Sequence, residues 1–448
     1  MSNAHIIVEQ SLGLQGQADL VGAKNAVLVI IASLILTRGK STLTNVPSSD
    51  DVLHMIALLQ DLGAEVEFIP QSHVLHVDTT GIHKYKVKYD IMKKMRASIL
   101  VMGPLLARFG KADVALPGGC VLGARPIDYH LKNFTKMGVT IDMQEHAISA
   151  YAAKIVPTKL VLDYPSVGAT ENLMMAATLT DGVTRIVNAA LEPEVLDLVD
   201  VLRKMGAHIN ILPPATIEII GVTSLHAVEH AIIHDRLEAG TLLLATAITG
   251  GEIYLPQASE ATLEMVLMKL QEMGHSITVG EQGKGVRLKS CASPRAVSFK
   301  TAPYPGFPTD LQAPMMALQC LADGTSIIEE TVFENRLLHV RELSKMGAQI
   351  KVEHNTAIVT GIEALYGTNV IATDIRASCS LVMAGMVAQG VTVMTGIHHW
   401  QRGYEALEKK LQALGANIRL NGADDAIVPD AHEMSRLKKA GISSQFLR

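Results

Sequence analysis

One short signature recurs six times and limits what this chain can fold into: an amphipathic run, then Leu-Gly or Met-Gly, then an alternating apolar segment. It appears as Leu62-Gly63-Ala64-Glu65-Val66, Met137-Gly138-Val139-Thr140-Ile141 and Met205-Gly206-Ala207-His208-Ile209. It returns as Met273-Gly274-His275-Ser276-Ile277, Met346-Gly347-Ala348-Gln349-Ile350 and Leu414-Gly415-Ala416-Asn417-Ile418. Successive glycines lie 75, 68, 68, 73 and 68 residues apart. The residues before each glycine repeat at helical spacing, as in Val195, Leu198, Val199 and Leu202. Glycine then supplies the left-handed residue that ends a helix, and the alternation beyond it predicts a strand.

About half a period earlier each unit holds a second, almost wholly apolar run: residues 25–37, 96–109, 170–180, 238–249, 310–322 and 377–388. A helix apolar all round is a buried helix. Each run ends at a glycine turn (Gly39, Gly110, Gly182, Gly250, Gly324, Gly390), followed by an apolar segment such as 184–187 or 325–328 that predicts a strand. The unit is therefore strand, buried helix, strand, amphipathic helix, strands. Six units exceed one comfortable core, so two domains of three repeats are expected, with the break near His234-Asp235. A solenoid is the alternative for any repeat chain. A 68-residue period is long for one, and wholly apolar helices favour closed bundles enclosed by sheets.

Charge narrows the function. With 39 Lys and Arg against 44 Asp and Glu, the net charge is −5, which argues against a nucleic-acid partner. Any anionic ligand must be held by a local cluster of cations. The apolar stretch from Ala26 to Leu36 is far short of the roughly 20 residues that span a bilayer. Residues 1–10 have no basic region followed by an apolar core, so neither membrane association nor a signal peptide is expected. The four cysteines (Cys120, Cys291, Cys320, Cys379) form no CxxC pair, which favours a reducing cytoplasm and no metal site.

Polar residues at the starts of the buried runs carry the chemistry. Gly22-Ala23-Lys24-Asn25, Lys94-Met95-Arg96-Ala97-Ser98, Asp235-Arg236-Leu237-Glu238 and Asp374-Ile375-Arg376-Ala377-Ser378 place cations at four of six starts. The helix dipole favours acids there, so the repeated exception points to function, although a solvated side chain is the ordinary explanation for any one of them. The segment from Leu116 to Pro126 is a Gly-rich loop carrying Cys120, five residues before Arg125. A lone cysteine is usually a small buried hydrophobe, but a nearby cation makes a reactive thiolate feasible. Asp310 in Phe307-Pro308-Thr309-Asp310 is either a helix cap or a general base. His398-His399 has no third ligand at metal-like spacing and reads as a turn or surface pair.

Taken together, these segments and Thr331-Val332-Phe333-Glu334-Asn335-Arg336, Ser166 to Thr170 and Arg402-Gly403-Tyr404-Glu405 resemble the UDP-N-acetylglucosamine 1-carboxyvinyltransferase (MurA) family of enolpyruvyl transferases. The resemblance runs from about Ile6 to Ile427. It implies an inside-out α/β barrel like that of EPSP synthase: six repeats in two domains, 1–23 plus 235–448, and 24–234. It implies transfer of the enolpyruvyl group of phosphoenolpyruvate to the 3′-hydroxyl of UDP-N-acetylglucosamine, the first committed step of peptidoglycan synthesis, with no cofactor and no metal. A cytoplasmic monomer is expected.

Carried onto matching positions, Cys120 is the loop thiol that adds to phosphoenolpyruvate, serves as general acid and is the target of fosfomycin. Some relatives carry Asp there. Lys24, Arg96, Arg125 and Arg402 match the phosphoenolpyruvate-binding residues, and Asp310 the base. Asn25, Arg96, Arg125, Pro126, Ile127, Asp128, Tyr129, Ser166, Val167, Gly168, Asp310 and Val332 match nucleotide-sugar contacts. Arg336, Asp374 and Arg376 match other cleft residues. Tyr164 stands where many relatives have Lys, Leu191 where Arg is expected, and Gln401 where Asp is common. Tyr164 and Leu191 motivate transfer to a different nucleotide or nucleotide-sugar as the competing reaction. A non-catalytic UDP-sugar-binding paralogue is the competing class, and retention of Cys120, Lys24, Asp310 and Arg402 speaks against it. The tail after about Asp430 extends beyond the family pattern.

Overall fold

The computed structural model describes residues 4–92, 96–115 and 127–422, apart from the side chains of Tyr89, Met92 and residues 96–98. Cys120, Arg125, Pro126 and the tail lie outside the described residues, as does the Arg96 side chain.

Six sheets of one design follow from the six repeats. In five of them a strand pairs parallel with a second strand, which continues antiparallel into a hairpin; in the last the N-terminal strand takes the third place. The third unit shows the pattern: Lys159–Val161 beside Val183–Val187, then Thr216–Ile220, then His208–Leu212. In the second unit the parallel strand has shrunk to a single bridge from Lys86 to Asp113. Parallel neighbours need a crossover of a dozen or more residues, and the buried helix supplies it.

Two of these strands are exchanged along the chain. The parallel strand of the first sheet is Glu229–Ala231, beside Lys40–Thr44. That of the fourth is Gln15–Gln17, beside Glu252–Ser259. The last sheet is closed by His5–Glu9, sandwiched between Val391–Thr395 and Ile418–Asn421. The chain ends are thus stitched to the later repeats, and the chain crosses between two apolar clusters near residues 20–24 and 232–236. The crossings are tied to each other: Ala23 N–H donates to Ile233 C=O at 2.7 Å and Asp235 N–H to Val21 C=O at 2.9 Å.

Each cluster holds three of the buried helices. One draws its fully buried members from residues 23 to 232, the other from 4 to 20 and from 237 to 418. Lys24–Ser33, Met102–Phe109 and Val167–Ala177 belong to the first, and Arg236–Thr249, Gln312–Gln319 and Ile375–Val387 to the second. Among the described residues no helix is long and apolar enough to cross a membrane.

The glycine signature behaves as its chemistry requires. All six signature glycines have positive φ, from 81° at Gly138 to 112° at Gly63, and so do the six glycines after the buried helices. An L-residue with a Cβ disfavours that region, and glycine does not.

Two expected helices start late. The run at 96–109 opens as a 3₁₀ helix, Arg96–Val101, and becomes α-helical only at Met102. The run at 310–322 opens as the 3₁₀ turn Thr309–Leu311, with the α-helix Gln312–Gln319 after it. Each α-helix carries proline at its third residue, Pro104 or Pro314. Proline has no N–H for the carbonyl four residues back, so the α pattern cannot extend through Leu100 or Asp310. His398-His399 is a correction to the turn reading. The pair lies inside the helix Ile397–Gly403, with rings tilted by 41° and 3.9 Å apart, His398 exposed and His399 half-buried.

Candidate active site

Three of the four cations at the helix starts, the buried Lys24 and Arg376 and the largely buried Arg236, are paired with carboxylates. Lys24 is the first residue of its helix; its Nζ lies 3.4 Å from Asp51 Oδ2, and its N–H donates to Asp235 at 3.3 Å. Arg236 makes a forked contact with Glu194, at 3.0 and 3.2 Å. Arg376 Nε lies 3.3 Å from Asp310, and its guanidinium stacks 5.0 Å above the Tyr404 ring. A buried charge needs such a partner. The exception to the dipole rule is therefore a set of ion pairs at the junction of the two clusters.

Asp310 does not cap a helix. It sits inside the 3₁₀ turn Thr309–Leu311, and its carboxylate is clamped by Arg336 and Arg376. Burial pushes the carboxyl up, but the Arg376 and Arg336 guanidinium groups hold it well below the usual carboxylate range. A quarter of the side chain remains exposed, so the ion pairs leave it reachable. Arg336 also donates to Thr309 Oγ1 at 3.0 Å.

Asp51 joins Lys24 to Arg402, whose Nε lies 3.0 Å from Asp51 Oδ1. Burial pushes the Lys24 ammonium below its ordinary value, and Asp51 opposes that shift. Arg402 comes from the short helix Ile397–Gly403, far along the chain from Lys24. The structure thus brings Lys24, Arg402, Asp310, Arg336 and Arg376 into one charged cluster, with Asp310, Arg376 and Arg402 all acting electrostatically on Lys24.

A second group collects around Asn172, fully buried in the helix Val167–Ala177. Its amide Nδ2 donates to Ile99 C=O at 3.0 Å and meets His130 Nδ1 at 3.1 Å, while its Oδ1 accepts from Gly103 N–H at 2.6 Å. Gly168 packs on the same His130: a Cβ there would lie 3.5 Å from the ring. The segments Ile127–Asp128–Tyr129 and Ser166–Val167–Gly168 are thereby neighbours. Ser166 caps its helix through Ala169 N–H at 3.4 Å. Ile127, Tyr129, Val167 and Gly168 are half-buried, and Asp128 is exposed. Asn25 is exposed on an otherwise buried helix.

Asp374 has a local task. It caps its helix by accepting from Arg376 and Ala377 N–H at 2.8 and 3.0 Å. The Val332 N–H donates at 2.9 Å to Glu330, which also accepts from Phe333 N–H and from the Thr301 and Thr309 hydroxyls. One buried carboxylate thus fixes the Asp310 turn and the Val332 loop together. The buried Tyr164 hydroxyl has no hydrogen-bond partner among the described residues; burial and then Glu192 and Glu330 push it up to about 12. Leu191 packs against the first apolar cluster. Gln401 is half-buried.

Sequence reasoning assigned no role to Asp51, Asn172, Glu194 or Glu330. Asp51 reads as an ordinary first-turn acid after Ser48-Ser49, and Asn172 as a polar interruption in an apolar run. Only the crossing of distant elements gives them partners.

The sequence profile of the family "EPSP synthase (3-phosphoshikimate 1-carboxyvinyltransferase)" matches residues 8–411. The UDP-N-acetylglucosamine 1-carboxyvinyltransferase of Cellvibrio japonicus is 48% identical over 414 residues, 92% of this chain and 98% of that one. UDP-N-acetylglucosamine 1-carboxyvinyltransferase 1 of Caldanaerobacter subterraneus is 48% identical over 412 residues, with the same two shares. In fold, the chain superposes on the enolpyruvyl transferase NikO of Streptomyces tendae with a TM-score of 0.85 at 24% identity, covering 94% of this chain and 99% of that one. EPSP synthase of Acinetobacter baumannii gives 0.74 at 16% identity, covering 94% and 100%. The expected EPSP synthase-like repeat fold is the one observed, and the chain belongs to the EPSP synthase family, on its branch of UDP-N-acetylglucosamine 1-carboxyvinyltransferases.

Proposed function

We propose that this protein transfers the enolpyruvyl group of phosphoenolpyruvate to the 3′-hydroxyl of UDP-N-acetylglucosamine and releases phosphate, the first committed step of peptidoglycan synthesis. The observation that carries the reading is its 48% identity, over nearly their whole length, to relatives named for that reaction. The buried cation cluster between the two apolar cores supports it, because both substrates are anions and clustered cations stabilise charge that develops between them.

Roles follow from the contacts. Lys24 and Arg402, with Arg96 and Arg125, would hold the donor's phosphate and carboxylate. Ile127 to Tyr129, Pro126, Ser166 to Gly168, Asn25 and Val332 would line the nucleotide-sugar site, with Arg336, Asp374 and Arg376 around the cleft. Asp310 would take the proton of the 3′-hydroxyl as its oxygen bonds to C2 of the donor, and Cys120 would deliver a proton to C3. Loss of phosphate and of a C3 proton then restores the double bond. A carboxylate held so far down is a weak base toward a free hydroxyl. It suits a proton that becomes acidic only as the new C–O bond forms. The domains we assign are 1–23 plus 235–448, and 24–234, supported by the two separate cores. A cytoplasmic setting is supported by free Cys291, Cys320 and Cys379. One chain supplies both halves of the cleft, so a monomer suffices.

Phosphate release across acceptors tests the reading. Turnover with UDP-N-acetylglucosamine and little with UDP-glucose or free N-acetylglucosamine is expected. Turnover only with another nucleotide-sugar would favour the reading that Tyr164 and Leu191 motivate.

A further inference from the structure

Asp51 has no task in the proposed chemistry, although it touches two of the cations that chemistry uses. Its Oδ2 faces Lys24 Nζ at 3.4 Å and its Oδ1 faces Arg402 Nε at 3.0 Å. The carboxylate side chain is 5% exposed, Lys24 11% and Arg402 31%. Lys24 opens a helix of the first core, whereas Arg402 lies in a helix packed in the second. The same end of the Asp50–Leu62 helix is tied to the Arg402 segment once more, through Ser48 N–H donating to Glu405 at 2.8 Å, and His73, which bonds to Val46 C=O ahead of that helix, lies 3.6 Å from the same Glu405.

Two cations drawn from different halves of a molecule repel each other and have no reason to keep a fixed spacing. A single carboxylate with one oxygen on each removes the repulsion and sets the distance. Donor anions would then meet a pair already aligned, at no cost in side-chain ordering. Resting on the function proposed above, we infer that Asp51 is the positioning residue for the donor site, holding the Lys24 ammonium and the Arg402 guanidinium at the mutual spacing that phosphoenolpyruvate engages. A merely structural ion pair would instead hold the halves together and serve both substrates equally.

The groups acting on Lys24 give a test that a structural role would not pass. They are Asp51 from the helix Asp50–Leu62, Arg376 from Ile375–Val387, Asp310 from the Thr309–Leu311 turn and Arg402 from Ile397–Gly403, with the Asp235 carboxylate on its backbone N–H. Asp50 and His54 stand beside Asp51 on its own helix. Burial, Arg376 and Arg402 all push Lys24 down, and Asp51 is the largest opposing influence. Without that charge, Lys24 loses its proton at lower pH.

Asp51→Asn should lower kcat/KM for phosphoenolpyruvate by about 10- to 100-fold, as removal of a charged hydrogen-bond partner does, while KM for UDP-N-acetylglucosamine moves by less than about twofold. The alkaline limb of kcat/KM for phosphoenolpyruvate should move to lower pH. Asp51→Glu keeps the charge, so its limb stays at the wild-type position while its efficiency falls. An unchanged efficiency in Asp51→Asn, an unmoved limb, or equal losses for both substrates would overturn the inference. So would an acid-shifted limb in Asp51→Glu, which decides the matter if Asp51→Asn does not fold. Direct titration of Lys24 by NMR in 13C-lysine-labelled wild type and variants needs no turnover. Equal Lys24 titration in wild type and Asp51→Asn defeats the inference even if the function stands, and an inactive wild type defeats the function without touching this readout.

Discussion

Asp310 keeps its charge because two guanidinium groups face it, and its behaviour follows from that balance. Its folded value lies below the unfolded one near 3.9, so its stabilisation is present above that pH and fades as pH falls further. No acid limb above about pH 4 should therefore belong to it. Asp310→Asn keeps the shape and removes the proposed base. Phosphate release should fall by about 10²- to 10⁴-fold, the usual worth of general base catalysis, with substrate binding measured by calorimetry largely retained. The Cys120 position makes a separate prediction from the family pattern. Cys120→Asp should go on releasing phosphate and become indifferent to fosfomycin, read as inactivation over time; loss of phosphate release would contradict the proposed acid role.

At the scale of the elements, Gly206 of the repeat signature and Gly221 beyond the Thr216–Ile220 strand are needed for different reasons. Gly206 has φ of 104°, and a Cβ there would meet only the His226 ring, at 3.5 Å. Its cost is backbone strain, so Gly206→Ala should lose about 1–2 kcal/mol in urea unfolding. Gly221 packs against backbone instead: a Cβ would sit 1.7 Å from the Thr180 carbonyl oxygen. Gly221→Ala must displace a strand end and should lose at least about 3 kcal/mol. The first was legible in sequence because it punctuates a period, and the second was not, because close approach shows only in three dimensions. Helix existence was legible from the apolar runs, but the late starts at Met102 and Gln312 depended on Pro104 and Pro314 weighing against strong apolar periodicity. Glu238, in the helix Arg236–Thr249, was invisible as a titrating group. Burial raises its carboxyl to about 7 despite a 2.6 Å contact with Lys410. A raised value stabilises below the unfolded value near 4.3 and loses that stabilisation as pH climbs through 7. Glu238→Gln should therefore gain thermal stability relative to wild type between pH 5 and pH 8, a difference that melting curves at the two pH values would register.

For the molecule as a whole, two cores meet at a charged seam, and the chain crosses that seam twice. Part of this was readable beforehand: the number of units and the cations at helix starts. The partners of those cations were not readable, since Asp51 and Lys24 are 27 residues apart and Asp51 and Arg402 are 351 apart. Helical or strand periodicity constrains neighbours in one element, and carries nothing about which elements face each other across a junction. The most direct test of the seam as an enolpyruvyl transfer site is 31P NMR of the enzyme with phosphoenolpyruvate and UDP-N-acetylglucosamine together. The donor's resonance should give way to inorganic phosphate only when both substrates are present, while the nucleotide's two diphosphate resonances persist. Phosphate appearing without the acceptor, or cleavage of the diphosphate, would contradict the account.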